Sequence, residues 1–141
     1  MARVLITGTS SGIGLATALE LSRAGHQVYA AMRNPARAPS EDLPFSIVTM
    51  DVDSDRSVAD CFAGIYAQGG QIDVLVNNAG IERHGSVEEL PLSAFRETME
   101  TNYFGALRCI QQVLPRMRES RSGCILAVCA VCCFQVCAGS V

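Results

Sequence analysis

Thr7-Gly8-Thr9-Ser10-Ser11-Gly12-Ile13-Gly14 is the stretch of this chain whose residue types and spacing speak most directly of chemistry. That chemistry is the non-covalent capture of a pyrophosphate. Gly8 permits a tight turn, Gly12 removes a side chain where the phosphates must approach the backbone, and Gly14 lets the following helix pack closely. A helix that starts here presents unpaired N–H groups and a partial positive charge to an anion. Ser10 and Ser11 add hydroxyl donors. Glycines alone are equally compatible with a plain structural turn. This loop, however, follows a β-branched run and opens a helical pattern, which is the context that dinucleotide binding requires.

Arg33 is the next residue with a chemical reading. An NAD-binding domain usually carries an Asp or Glu about 20 residues past the glycines, where it holds the ribose 2′-hydroxyl. Here the corresponding segment reads Ala31-Met32-Arg33 and has no acid. A carboxylate would repel a 2′-phosphate, whereas a guanidinium pairs with it in bidentate fashion. The expectation is therefore NADP, with NAD as the alternative, and the plain reading of Arg33 is a solvated residue at a strand end. Arg37 is the poorer candidate, because it falls in a Pro-rich loop. His84 and His26 read as loop and turn histidines, and Arg116, Arg118 and Arg121 as a solvated helix end suited to the dipole. Five of the seven cysteines (Cys124, Cys129, Cys132, Cys133 and Cys137) crowd the last eighteen residues. Such spacing could bind zinc or be redox active, but an apolar tail rich in Cys by composition alone is the simpler reading, and no metal site is expected.

The elements that must position these residues alternate between strand and helix. Strands are expected at Val4-Leu5-Ile6-Thr7, Val28-Tyr29-Ala30-Ala31-Met32, 45–50, Ile72-Asp73-Val74-Leu75-Val76 and 124–128. The segment 34–44 is a loop or a very short helix. Leu15, Ala18 and Leu19 mark the first helix, which stops near Gly25. Asp53 is expected to cap a helix running to Gln68 along Val58, Cys61, Phe62 and Ile65. Ser93 is expected to cap one long helix with a stripe of Phe95, Met99, Ala106, Ile110 and Val113. Strands joined by helical crossovers imply an α/β fold: a doubly wound parallel sheet of about five strands, the Rossmann arrangement, in order 3-2-1-4-5.

Composition bounds the rest. With 141 residues there is room for one domain, read as a nucleotide-binding unit over 1–128 and a Cys-rich tail over 129–141. Apolar residues make up 49% of the chain, which argues against disorder. A net charge of −3 offers no general field for nucleic acid or an anionic membrane. No stretch approaches the roughly 20 apolar residues of a membrane span, and the expected compartment is the cytoplasm.

The order and spacing of several segments resemble the short-chain dehydrogenase/reductase family. The loop has the spacing Thr-Gly-x-x-x-Gly-x-Gly. Asp51-Val52 follows the third strand, where the family places an adenine-binding aspartate. Asn77-Asn78-Ala79-Gly80 follows the fourth and looks like the family's Asn-Asn-Ala-Gly motif. Asn102 lies where the family keeps a catalytic Asn on a helix. The resemblance covers residues 3 to about 128. It implies that Gly8, Ser10, Ser11, Gly12, Ile13, Gly14, Arg33, Asp51, Val52, Asn78, Ala79 and Gly80 bind the cofactor. It also implies hydride transfer between nicotinamide and a small-molecule alcohol or ketone, such as a steroid or retinoid-like lipid.

The same resemblance exposes a gap. The family uses a Ser after the fifth strand and a Tyr-x-x-x-Lys on the next helix; the Tyr is the general acid or base, and the Lys lowers its pKa. By spacing Ala130 occupies the Ser position, and the Tyr would fall beyond Val141. The chain contains eleven Arg and no Lys, so Tyr-x-x-x-Lys occurs nowhere in it. A truncated form, or a splice or frame change after Val128, would explain this. The expectations are an NADP-dependent oxidoreductase lacking full activity, a non-catalytic NADP-binding fragment that associates with a partner chain, or an unstable product. A bare fifth strand is further expected to favour association, with a second copy among the candidates.

Overall fold

The computed structural model describes residues 1–38 and 42–128. Expectations that fall on 129–141, namely the tail, Ala130 as the Ser position and the zinc or redox reading of Cys129, Cys132, Cys133 and Cys137, lie outside the described residues. Five strands, β1 (Arg3–Thr7), β2 (Gln27–Met32), β3 (Ser46–Thr49), β4 (Val74–Asn77) and β5 (Cys124–Ala127), form one sheet. The order is β3-β2-β1-β4-β5, and every pairing is parallel.

Alternation along the strands sorts the core onto two faces. Leu5, Tyr29, Ala31 and Leu75 point to one face, where Val58, Phe62 and Ile65 of α2 (Asp55–Ala67) meet them. Val4, Ile6, Val28, Ala30 and Val76 point to the other, against Ala18 of α1 (Gly12–Arg23). Burying each large side chain of this kind contributes about 1.5–3 kcal/mol. The two clusters together fix the register of the central strands, since a slip by one residue would exchange the faces.

Two expectations are corrected. The cap of α2 is Ser54 rather than Asp53: the Ser54 hydroxyl accepts from Ser57 N at 3.2 Å, and the Asp53 carboxylate instead accepts from the Thr101 hydroxyl at 3.0 Å. The long helix is not one regular element. α3 (Leu92–Met99) begins after Pro91, with no side-chain cap at Ser93, and passes through a π-helical segment (Glu100–Phe104) into α4 (Gly105–Ser120). Its buried face is Ala94, Thr98, Thr101, Gly105, Cys109, Val113 and Met117. Of the expected stripe only Val113 is fully buried, and Met99 is half exposed. Small residues face the sheet because the helix approaches closely: a Cβ on Gly105 would stand 2.8 Å from the Val52 side chain. Among the described residues no helix is long and apolar enough to cross a membrane.

Candidate functional site

The carboxyl ends of β1, β2, β3 and β4 open into one cavity of about 340 Å³, within the size range of small-molecule sites. Its lining brings together most of the residues singled out in the sequence: Gly8, Ser10, Ser11, Ile13, Gly14, Arg33, Asp51, Val52, Asn78, Ala79 and Gly80. Two stand apart. Gly12, at φ +60°, does not line the cavity, and its Cβ position is open space. Asn102 also lies off the lining. Its carboxamide holds the backbone of Ile81: Oδ1 accepts from Ile81 N at 2.8 Å and Nδ2 donates to Ile81 O at 3.0 Å.

The wall below the loop is a clamp between β1 and β4. The Thr7 hydroxyl, 2% exposed, accepts from Asn78 N at 3.0 Å and Ala79 N at 2.9 Å. In return the Asn78 amide donates to Thr7 O at 2.9 Å and Gly8 O at 3.1 Å. Gly8 must be glycine for two reasons. Its φ is +71°, and a Cβ there would stand 2.7 Å from Ala79 Cα. The turn thus brings the two strand ends together, and α1 starts directly above. Ser11 precedes that helix without a side-chain cap bond, and its first turn has no acid. The first N–H groups of a helix have no intrahelical partner, and Ser11, Ile13 and Gly14 at this helix start line the cavity, a position suited to an anion.

The far side is polar and mixed in charge. Arg33, Asn34 and Arg37 line it from the end of β2, and Asp51 and Asp53 from the end of β3. Asp51 Oδ1 accepts from Asp53 N at 3.2 Å, a local turn that aims both residues along one rim. Arg108 braces this rim from behind. It donates to Val52 O at 3.2 Å and pairs with Asp55 and Glu100. These bonds hold the Arg108 guanidinium protonated even more firmly than usual.

Sequence reasoning missed Thr7, Asn34, Asp53, Ile81 and Thr101 as lining or clamp residues, and ranked Arg37, which lines the cavity, below Arg33. Thr7 stood beside Gly8 in the loop already singled out, but nothing in its type announces that its hydroxyl faces β4. Thr101 had no signal, because its inward aim depends on the π-helical segment.

The sequence profile described as short chain dehydrogenase matches residues 2–141. Retinol dehydrogenase 8 of Bos taurus is 44% identical over 139 residues, an alignment that covers 91% of this chain and 44% of that protein. The 3-ketodihydrosphingosine reductase of Bacteroides thetaiotaomicron is 37% identical over 129 residues, covering 91% and 46%. Among solved structures, a gluconate 5-dehydrogenase from Burkholderia cenocepacia J2315 in complex with NADP and tartrate superposes with a TM-score of 0.79 at 30% identity, over 88% of this chain and 51% of that one. A serine dehydrogenase from Escherichia coli superposes with a TM-score of 0.81 at 28% identity, over 87% and 59%. The chain spans about half the length of the curated relatives it matches.

Proposed function

The chain belongs to the short-chain dehydrogenase family, and from that membership we propose that its cavity binds NADP in preference to NAD, for hydride exchange with an alcohol or ketone. The observation that carries the preference is Arg33, which lines the cavity at the end of β2 where an NAD-specific site would hold a carboxylate. The chain's groups fit the cofactor. The start of α1 with Ser10 and Ser11 would hold the pyrophosphate, Asp51 and Val52 would border the adenine, and Asn78, Ala79 and Gly80 would wall the ribose of the nicotinamide half. Bound there, the cofactor supplies the hydride or accepts it. Asn102 serves by holding Ile81, and with it the strand exit that carries Gly80. A lipid-like alcohol is the favoured substrate class, since one relative is named a retinol dehydrogenase. The test is titration with NADPH and NADH by nicotinamide fluorescence, beside Arg33→Ala. Losing a bidentate charge-assisted pair costs on the order of 1.5–3 kcal/mol. Equal affinity for the two cofactors in the unmutated chain would defeat the preference.

A second reading is a cofactor-holding chain whose acid–base groups come from a partner. It is favoured by one observation: the 141 residues contain no Lys, and none of Tyr29, Tyr66 and Tyr103 lines the cavity. General acid–base catalysis typically contributes ~10²–10⁴-fold. The 141-residue chain is therefore expected to bind cofactor yet turn over poorly. Turnover at an ordinary enzymic rate, about 1–10³ per second, would remove this reading.

A further inference from the structure

The rim at the end of β3 carries a backbone donor that the fold does not use. Along it, Met50 N donates to Met32 O at 3.1 Å and Asp51 N to the Ser57 hydroxyl at 2.9 Å. Asp53 N donates to the Asp51 carboxylate and Ser54 N to Asp51 O, each at 3.2 Å. The N–H of Val52 has no partner among the described residues. Val52 is nevertheless 7% exposed and lines the cavity. Buried N–H groups are nearly always paired, so a donor left over in a cavity wall is a point of attachment for a ligand. The Asp51 carboxylate lines the cavity beside it, and only its Oδ1 is taken by the chain, through Asp53 N. A donor and an acceptor on successive residues match the edge of a base that presents an acceptor next to a donor.

The group that fixes this pair stands behind the rim. Arg108 does not line the cavity, and its side chain is 22% exposed. Nη1 donates to Val52 O at 3.2 Å, Nε to the Asp55 carboxylate in the first turn of α2, and Nη2 to the Glu100 carboxylate at the start of the π-helical segment. A guanidinium is a rigid planar fork, so it holds partners from three parts of the chain at one fixed spacing. The same helix holds the Val52 side chain, since the backbone at Gly105 approaches it closely. The carbonyl that Arg108 holds belongs to the Val52–Asp53 peptide. Releasing it frees Val52 to turn, and with it the N–H and the neighbouring carboxylate.

We propose that Arg108 is a positioning residue for the purine of the cofactor: by fixing Val52 it keeps the Val52 N–H and the Asp51 carboxylate as a donor–acceptor pair that selects adenine over hypoxanthine. The inference rests on reading the cavity as a cofactor site and is independent of the preference for NADP. Adenine presents a ring-nitrogen acceptor beside an amino donor, which pairs with both groups. Hypoxanthine presents a ring N–H beside a carbonyl oxygen, so donor meets donor and acceptor meets acceptor. Two groups left unpaired in a half-dry wall penalise the wrong base.

The experiment titrates the 141-residue chain with NADPH and with reduced nicotinamide hypoxanthine dinucleotide phosphate by nicotinamide fluorescence, and competes each with 5′-AMP and 5′-IMP. The two dinucleotides carry the same charge, so a change in rim charge alone moves both equally. The unmutated chain is expected to prefer the adenine form about tenfold or more. Arg108→Ala should weaken NADPH on the order of tenfold and bring the preference down to about twofold or below. Arg108→Lys keeps a charge opposite Asp55 and Glu100 but not the fork, and should give an intermediate preference. Asp55→Asn removes an ion pair and leaves the bond to Val52, so it should lower the urea midpoint while the preference stays at the unmutated value. A full preference in Arg108→Ala would overturn the inference, and so would an unmutated chain that binds both bases alike. A loss in Asp55→Asn as large as in Arg108→Ala would overturn it too, by showing that base selection merely follows stability. Should Arg108→Ala not fold, Arg108→Lys decides: a reduced preference supports the inference and an unchanged one overturns it. If the unmutated chain binds neither dinucleotide, the cofactor reading itself is wrong, and this inference falls with it.

Discussion

Thr7→Val removes one oxygen from the centre of the candidate site and changes little else in shape. The Thr7 hydroxyl is the acceptor for two backbone donors, Asn78 N and Ala79 N. Valine leaves both without that partner. An orphaned buried donor costs about 1–3 kcal/mol. Thr7 is buried, but Asn78 and Ala79 are only half-buried, so water can partly replace the lost bond. The lower part of the range then applies to each, and the sum is about 2–4 kcal/mol. Against a domain stability of ~5–15 kcal/mol this is a large fraction. With a urea m-value of about 1–3 kcal/mol per molar, the unfolding midpoint should fall by roughly 1–2 M. The assay is urea unfolding followed by far-ultraviolet circular dichroism, with hydrogen exchange at the Asn78 and Ala79 amides as a local report. Thr7→Ser separates the causes: it keeps the oxygen and loses a methyl, worth about 1 kcal/mol. A midpoint for Thr7→Val within about 0.3 M of the parent, or a Ser variant as damaged as the Val variant, would refute the clamp as the source of stability.

Gly14→Ala should weaken cofactor binding more than tenfold and destabilise by about 1–3 kcal/mol, because its Cβ would run into the Asn78 amide nitrogen and Gly8 O; calorimetric binding and unfolding at parental values would contradict this. Burial pushes the Cys61 thiol up to about 11 and the Cys109 thiol up to about 12. Native alkylation at pH 8, read by mass mapping, should therefore reach exposed Cys124 well before either of them. Because the folded values lie above the unfolded value near 9.0, the unfolded chain loses these protons first. The stability they contribute is complete below about pH 9 and declines as pH rises toward the folded values; a denaturation midpoint that rose across that interval would contradict the assignment. β5 is an edge among the described strands, with Leu126 and Val128 about half exposed, so the 141-residue chain should self-associate at micromolar concentration or above in reductant. A clean monomer by light scattering there would count against edge pairing.

Much of the fold could be read from residue pattern, because the parallel strands are short apolar runs with β-branched residues, separated by helices and glycine punctuation. Val4 to Thr7 before Gly8, and Val74 to Val76 before Asn77, carry that signal within a few residues. The glycine loop is equally plain, since glycine at Gly8 and Gly14 answers to close local approach of the backbone. Tertiary detail was less accessible. Ser54 and Asp53 are both good caps by type, and only the distant Thr101 hydroxyl decides which of them is occupied elsewhere. The phase of α3 and α4 departs from the expected stripe because Phe95, Met99, Ala106 and Ile110 imitate a core face, while the buried face is mostly Ala, Thr, Gly and Cys, with Val113 and Met117. Arg37 ranked below Arg33 because Pro35 and Ala36 look like an open loop, and the Asn34 side-chain bond to Ala36 N that closes a short turn there has no period to reveal it.

The central place of β1 has a consequence for how the chain reaches this structure. β1 leaves the ribosome before the other four described strands, and its neighbour β2 follows after one short helix, so that this part of the sheet can pair early. Its other neighbour is β4, with Val4 beside Val74 and Ile6 beside Val76. Until β4 has been synthesised, the other edge of β1 has no partner and the Thr7 hydroxyl has nothing to receive. Topologies dominated by such distant pairings fold slowly, and their partly assembled forms expose strand edges that aggregate. Synthesis rate between β3 and β4 thus acts on yield: a pause before β4 prolongs the vulnerable interval, and a pause after it gives the β1–β4 junction time to close.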